Sequence, residues 1–265
     1  MLRDAEKKLE RLRSYFRELD GALVAYSGGV DSSVLAKAAY DALGAKALAV
    51  TIASPAADPA ELSTARKVAK YIGIKHLVVE HDELEDEDFC ANGPDRCYYC
   101  KKSILAVLGK IADEKGLSKV VEGTNAGDLA GHRPGFRAVN EAGARSPLAD
   151  LGYTKEDVRK IAEYLRLPNA KKPSTACLAS RIPHGTRITK DLLEKVARAE
   201  AVVRKCGVSQ LRVRIFGKIA VIEVLPEDFS KITRNGKKLA EKLKKIGFHR
   251  VALDLEGYST GSLGG

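Results

Sequence analysis

The stretch Ala22-Leu23-Val24-Ala25-Tyr26-Ser27-Gly28-Gly29-Val30-Asp31-Ser32-Ser33 decides the architecture of this chain. Its first five residues are an apolar run of the kind that fills a buried strand, and Val34-Leu35-Ala36-Lys37-Ala38-Ala39 continues as a helix. Between them lies Ser-Gly-Gly-Val-Asp-Ser-Ser. Two adjacent glycines let the backbone pass close to a phosphate. Ser27, Ser32 and Ser33 add hydroxyl donors. The helix start aims free N–H groups and a partial positive charge at the same point. The segment therefore reads as an anion cradle suited to pyrophosphate. It is not the Walker pattern, whose G-x-x-x-x-G-K-[ST] run is missing from the sequence.

Outward from this loop, residues 1–19 read as a capping helix. Strand runs at 22–26, 47–52, 76–79 and 119–122 alternate with helices near 31–43, 59–72, 101–115 and 155–166. Such alternation predicts an α/β fold, a doubly wound parallel sheet with helices on both faces. Ligands of such sheets bind at the C-terminal strand ends. The Ser-Gly-Gly loop lies at one such end, and Glu122-Gly123-Thr124-Asn125 at another. The pattern changes after about 187. A helix over 191–206 capped by Thr189, a hairpin turning at Gly217-Lys218, a basic helix and a strand at 251–255 predict a small C-terminal α+β unit. The expected domains are 1–187 and 188–265. The Gly/Ser-rich tail, 257–265, is expected to be mobile.

The chain has 265 residues, 45% of them hydrophobic, enough for a substantial core. Its apolar stretches are strand-sized, short of the roughly 20 residues of a membrane helix. The segment Asp4-Ala5-Glu6-Lys7-Lys8-Leu9-Glu10 is charged and helical, unlike a signal peptide. A cytoplasmic location with no membrane partner is expected. The net charge of +10 suits ATP, pyrophosphate or a phosphorylated small molecule, and permits nucleic acid. The lysines at 237, 238, 242, 244 and 245 read as a solvated helix face. Gln and Met each occur once and Trp never, among abundant Lys, Arg and Glu, a thermophile-like profile.

Five cysteines, at 90, 97, 100, 177 and 206, make an odd count that argues against a disulfide framework. Cys97-Tyr98-Tyr99-Cys100 precedes a helix, and its thiolates can share one metal or cluster edge. Three readings compete: a zinc site, which wants four ligands; a redox pair, which wants a different context; and a three-cysteine [4Fe–4S] cluster with one open iron. Cys177, in the polar loop Lys172-Pro173-Ser174-Thr175-Ala176-Cys177, favours the cluster. Cys90 and Cys206 read as thiols without chemistry, and neither His132 nor His184 is given a role.

The loop at 27–33 resembles the PP-loop of the ATP pyrophosphatases. With Glu122-Gly123-Thr124-Asn125-Ala126-x-Asp128, Arg145-Ser146-Pro147-Leu148-Ala149-Asp150, Cys177-Leu178-Ala179-Ser180-Arg181-Ile182-Pro183-His184-Gly185-Thr186 and Leu211-Arg212-Val213-Arg214, the chain resembles the LarE family of ATP-dependent sulfur transferases along nearly its whole length. The first three segments are shared with NAD and GMP synthetases; the cysteine segment and the C-terminal unit are more specific. The resemblance implies adenylation of a carboxylate of a pyridinium dicarboxylate mononucleotide, then replacement of oxygen by sulfur on the way to a nickel-pincer cofactor. In one branch the cysteine matching Cys177 surrenders its own sulfur; in another, two further cysteines help hold a [4Fe–4S] cluster. Cys97 and Cys100 place this chain with the cluster branch.

The chemistry is coherent on its own terms. A carboxylate oxygen leaves poorly, adenylation makes AMP the leaving group, and Mg²⁺ with the N–H cradle stabilises the departing pyrophosphate. Asp31 is the loop carboxylate for that magnesium and also a candidate helix N-cap. Thr124, Asn125 and Asp128 close the ATP site. Arg181 is placed to neutralise a phosphate. Ser180, Glu200, Arg212 and Arg214 are expected to bind a nucleotide-like small molecule, the two arginines sharing one hairpin face. Cys177 is the expected sulfur-handling residue. Nucleic acid is not expected as a partner, a homo-oligomer is, and the sulfur donor stays open. The rivals are a [4Fe–4S] tRNA thiolase, an NAD- or GMP-synthetase-like amide ligase, and a non-enzymatic regulatory module.

Overall fold

The computed structural model describes residues 2–130 and 134–259. His132 and residues 260–265 of the tail lie outside the described residues. In chain order come α1 (Leu2–Arg17), β1 (Ala22–Ala25), α2 (Val30–Leu43), β2 (Ala47–Ala53), α3 (Pro59–Ile72), β3 (Lys75–Glu80) and α4 (Glu87–Cys90). Then follow α5 (Arg96–Glu114), β4 (Lys119–Val121), α6 (Pro134–Glu141), α7 (Pro147–Asp150), α8 (Lys155–Tyr164) and α9 (Lys190–Arg204). The last elements are β5 (Leu211–Phe216), β6 (Ile219–Val224), α10 (Phe229–Thr233), α11 (Gly236–Lys245) and β7 (Arg250–Leu253). They form two compact units. The first has three segments ending at Ser54, Glu83 and Thr175; the second takes 55–58, 84–94 and the chain from Ala176 onward.

The first unit is an α/β layer built on four parallel strands in the order β3-β2-β1-β4. The period-2 alternation of β1 and β2 assigns each residue to a face. Ala22, Val24, Ala47 and Ala49 face a core with Leu9, Leu12 and Phe16 of α1, Val34 and Leu35 of α2, and Val158 and Ile161 of α8. Leu23, Leu48 and Val50 face the opposite core, with Tyr98, Leu105 and Leu108 of α5 and Val139 of α6. Both faces are covered, as a parallel sheet requires. From β1 the chain winds through β2 to β3, then crosses to β4 on the far side of β1. The reversal makes the C-terminal ends of β1 and β4 a switch point, where the loops diverge and leave a crevice.

Two details differ from the sequence reading. The C-x-x-C pair lies within the first two turns of α5, which begins at Arg96, several residues before expected. Cys and Tyr are modest helix formers, but tertiary contacts override that. Tyr98 is buried, donates to Glu141 Oε2 at 2.7 Å and carries the Arg137 guanidinium 3.7 Å above its ring. Asp31 is not the N-cap of α2. Gly29 occupies that position, with extended dihedrals and no side-chain cap, and Asp31 lies in the first turn.

Gly28 has φ +73°, and a Cβ there would come within 2.7–2.8 Å of Ala65 backbone atoms on α3. Gly28→Ala therefore forces α3 off the loop and is expected to cost roughly 2–3 kcal/mol, read as a lowered urea midpoint with an unchanged m-value.

In the second unit β5 and β6 pair antiparallel around Gly217, while β6 and β7 pair parallel through a helical crossover. Thr189 accepts from Leu192 N and starts α9, whose Leu193, Val196, Ala199 and Val203 are buried. Tyr258, in the Gly/Ser-rich tail, is tied to β6, its N–H donating to Val224 O at 2.9 Å.

Candidate active site

The Ser-Gly-Gly loop is wired from within. Ser27 N donates to Ser32 Oγ at 3.3 Å, Ser32 Oγ donates to Gly29 O at 3.2 Å, and Gly29 N donates to Ser27 Oγ at 3.2 Å. Beneath it Asn169 Nδ2 donates to Gly28 O and Ser33 Oγ, both at 2.9 Å. Ser33 is fully buried, so its hydroxyl braces the loop from below, whereas Gly29 is half-buried and Ser27 exposed. A helix whose N-cap carries no capping side chain leaves its first N–H groups for an anion.

Beside the cradle, Asp31 pairs with Lys155 through Oδ2, and Asn125 Nδ2 reaches its Oδ1 at 3.5 Å. Asn125 is anchored on Asp128, its Nδ2 donating to Oδ2 at 2.7 Å and its backbone N–H at 3.2 Å. Asn125 Oδ1 is buried with no hydrogen-bond partner. Lys155 escaped the sequence reading. It is the first residue of α8, fixed there by the Thr154–Asp157 capping box, and that box is the signal that could have placed it.

At the end of β4, Gly123 packs so closely on α2 that a Cβ would lie 3.3 Å from Asp31 Cβ and from Ser32 N. Glu122 is almost fully buried. It accepts from Thr124 N and Oγ1 at 3.0 Å each, from Ser146 Oγ at 2.5 Å and from Lys101 Nζ at 2.9 Å. Burial works to raise its pKa, but the Lys101 charge and these donors prevail and hold the carboxyl below its usual value. Thr124 is thereby turned toward Glu122.

Cys97 and Cys100, three residues apart on α5, share one helix face. Cys97 is exposed. Cys100 Sγ lies 4.0 Å from Glu83 Oε1, and the buried Oε2 of that carboxylate has no partner. Ser103 Oγ donates to Cys100 O at 3.0 Å and contacts His81 Nε2 at 3.1 Å. Among the described residues no three His, Cys, Asp or Glu side chains are gathered as a ready-made metal site.

In the second unit the turn carrying Cys177 is gripped by two guanidinium groups. Arg181 donates to Ala176 O at 2.8 Å, Cys177 O at 3.0 Å and Ser180 Oγ at 3.0 Å, and makes a fork with Glu200 at 2.7 and 3.1 Å. Arg214 makes a second fork with Glu223 at 2.7 and 3.2 Å and donates to Ser180 O at 2.5 Å. Glu200 also accepts from Val213 N at 3.1 Å. All four charged residues are at most 4% exposed. Arg212 is also buried. Its guanidinium sits 4.8 Å from the Tyr258 ring centroid and donates to Tyr258 Oη at 3.2 Å. Burial moves its pKa below the ordinary arginine value. His184 contacts Asn92 O, and Cys90 Sγ donates to Leu84 O at 3.3 Å. Glu200→Ala leaves Arg181 buried without its counter-charge and is expected to cost about 3–5 kcal/mol, measurable by urea unfolding.

A Ser-Gly-Gly-x-Asp-Ser loop at the switch point of a parallel sheet defines the PP-loop class of ATP-using enzymes. The asparagine synthase family model matches residues 22–99. An uncharacterised protein of Synechocystis is 44% identical over 260 residues, 97% of each chain. The pyridinium-3,5-bisthiocarboxylic acid mononucleotide synthase of Lactiplantibacillus plantarum is 34% identical over 257 residues, 97% of this chain and 93% of its own. The tRNA-specific 2-thiouridylase MnmA of Persephonella marina is 28% identical over 190 residues, 56% of this chain and 53% of its own. The chain belongs to the LarE family of ATP-dependent sulfur transferases.

Proposed function

We propose that this enzyme adenylates a carboxylate of a pyridinium-3,5-dicarboxylate mononucleotide and then replaces the activated oxygen with sulfur. The support is a relative of that activity matching 97% of the chain, together with the uncapped, internally wired loop at 27–33. The substrate carboxylate attacks the α-phosphorus of ATP; the bond to the β-bridging oxygen breaks, and pyrophosphate departs with the electron pair. Sulfide-level sulfur then attacks the acyl carbon, and AMP leaves with its oxygen. The loop N–H groups, Ser27 and Ser32 hold the pyrophosphate end. Asp31 and the unpartnered Asn125 Oδ1 are hard oxygen donors that fit Mg²⁺. Lys155 holds the Asp31 carboxylate in place. Arg181 acts by positioning the Cys177 turn, since its donors are spent within that turn and on Glu200. Arg212, stacked on Tyr258, is the cation for the substrate phosphate.

Cys97, Cys100 and Cys177 are the proposed ligands of a [4Fe–4S] cluster. Two thiols on one helix face fit adjacent ligand positions, and when bound such a cluster supplies an open iron that can hold sulfide. Residues 1–187 form the proposed ATP-using domain and 188–265 the substrate-binding and oligomerisation domain, in a cytoplasmic homo-oligomer. No helix is long and apolar enough among the described residues to cross a membrane.

The test is incubation with ATP, Mg²⁺ and pyridinium-3,5-dicarboxylic acid mononucleotide. Acceptor-dependent release of pyrophosphate and AMP is expected. Release that needs transfer RNA instead would establish the thiolase.

A further inference from the structure

We infer that Asn169, a residue outside the loop motif, sets the Gly28–Gly29 peptide of the cradle and so aims the Gly29 N–H at the departing pyrophosphate, a role that rests on the adenylation reading above. A trans peptide carries its C=O and its N–H on opposite sides. Here the two sides have different surroundings. The Gly28 carbonyl points inward, where it accepts from Asn169 Nδ2 at 2.9 Å, and Asn169 is 4% exposed. The Gly29 N–H points the other way, donating at 3.2 Å to the hydroxyl of Ser27, which is exposed. Glycine on both sides of this bond leaves the choice of orientation open. A flip of the peptide turns ψ of Gly28 and φ of Gly29 together, and it carries Gly29 from φ −74° into the left-handed region that glycine visits freely. The loop sequence therefore permits a cradle with this N–H turned inward and the carbonyl turned toward the anion. Asn169 selects against it, because the Gly28 oxygen finds its donor on the buried side.

The amide is committed to this task. A carbonyl oxygen only accepts, so it is Nδ2 and not Oδ1 that faces the loop. The second hydrogen of Nδ2 goes to Ser33 Oγ, also at 2.9 Å. Ser33 in turn donates to the Tyr26 phenol, whose own proton goes to Ala65 O of α3 at 3.3 Å. Asn169 Oδ1 is buried with no hydrogen-bond partner. A side chain retained for packing would not strand an acceptor; the two donors are what the position keeps. The residue is also held stiffly. Leu167 and Ala170, on either side, sit in the core with α2 and α8. Asn169 O accepts from Lys172 N at 2.9 Å, and Lys172 Nζ is pinned to Glu61 of α3 at 2.6 Å.

In the reaction Asn169 exchanges no proton and touches no substrate. As the bond to the β-bridging oxygen breaks, charge builds on the departing pyrophosphate. A Gly29 N–H already aimed there stabilises that charge without reorganisation.

The test is ATP–pyrophosphate isotope exchange with pyridinium-3,5-dicarboxylic acid mononucleotide, beside calorimetric binding of inorganic pyrophosphate and of AMP. Asn169→Leu keeps the branched shape and removes both donors. Its exchange rate is expected to fall about 100-fold and its pyrophosphate affinity at least about tenfold, the losses typical of one preorganised donor. AMP lacks the group the loop holds, so its affinity is expected to change less than about threefold. Asn169→Asp is closer still in shape. Ionised, it turns only acceptors on the Gly28 carbonyl; protonated, its O–H donates in place of Nδ2. Burial raises the pKa of such a carboxyl, so the exchange deficit of this variant against the unaltered chain is expected to shrink at least about tenfold from about pH 8.5 to about pH 6. A packing defect does not follow pH, and this arm is read whether or not the leucine variant folds. Wild-type exchange in a folded Asn169→Leu protein overturns the assignment. So does an equal loss of AMP and pyrophosphate affinity, or an Asn169→Asp deficit indifferent to pH. Absence of exchange in the unaltered chain overturns the adenylation reading itself and is thereby told apart.

Discussion

Gly29→Val is expected to release pyrophosphate at least about 1,000-fold more slowly than the unaltered chain, because one side chain blocks several of the backbone donors that each contribute 100- to 1,000-fold. The fold is expected to survive. Gly29 has φ −74° and ψ 168°, an extended conformation that valine adopts readily. Among the described residues, the only atom within 4 Å of its added Cβ is Ser27 Oγ at 3.2 Å, which a small rotation relieves. The isopropyl group then stands at the N-terminus of α2, where the phosphate must approach the first-turn N–H groups. Its neighbour makes the contrast informative. At Gly28 an added Cβ meets the backbone of α3 and φ is positive, so Gly28→Ala strikes stability first. Two adjacent glycines thus separate, one serving the packing of the loop and one its ligand. The measurement is pyrophosphate release beside urea unfolding for both variants. Wild-type release from a folded Gly29→Val protein would sink the loop assignment.

The sheet and its loop could be read from sequence because they follow local rules. Ala22 to Ala25 and Ala47 to Val50 are apolar at every position, as strands covered on both faces must be. The glycines and serines that follow have few other uses between a strand and a helix. What escaped was set by contacts distant in sequence. Lys155 and Lys101 lie on amphipathic helices, where a lysine reads as solvent-facing; their partners, Asp31 and Glu122, lie 124 and 21 residues away. Arg212 and Arg214 alternate with Val213, and that pattern alone marks a strand with one polar face. The tertiary fact that buries them is the Glu223 fork from β6, with the Cys177 turn and Tyr258 held by the same two arginines. A single acidic residue in the apolar run Ile219–Val224 was the only trace of that network in the sequence. Ser33 and Thr124, read as donors to ATP, also bond within the protein, Ser33 Oγ accepting from Asn169 and Thr124 Oγ1 donating to Glu122, contacts that no local pattern announces.

Cys177→Ala is expected to abolish sulfur transfer, by at least about 1,000-fold, while pyrophosphate release continues near the wild-type rate. The turn fixes the backbone of this residue. The Cys177 carbonyl accepts from Ser180 N at 3.0 Å, Ser180 Oγ at 2.8 Å and Arg181 at 3.0 Å, yet the residue is exposed. Such an arrangement serves a cluster ligand and a sacrificed cysteine alike, so the substitution alone does not choose between them. Mass does. A cysteine that gives up its own sulfur becomes dehydroalanine, and the intact chain loses about 34 Da, the mass of H₂S. A ligand cysteine survives turnover. Under the proposed cluster reading, protein reconstituted anaerobically with iron and sulfide keeps its full mass through many turnovers. Cys97→Ser and Cys100→Ser then lose both the iron–sulfur absorbance and the thiolated product, again with pyrophosphate release retained. Dehydroalanine at 177 accumulating in step with product would reverse the assignment, make Cys177 the sulfur donor, and leave Cys97 and Cys100 outside the reaction.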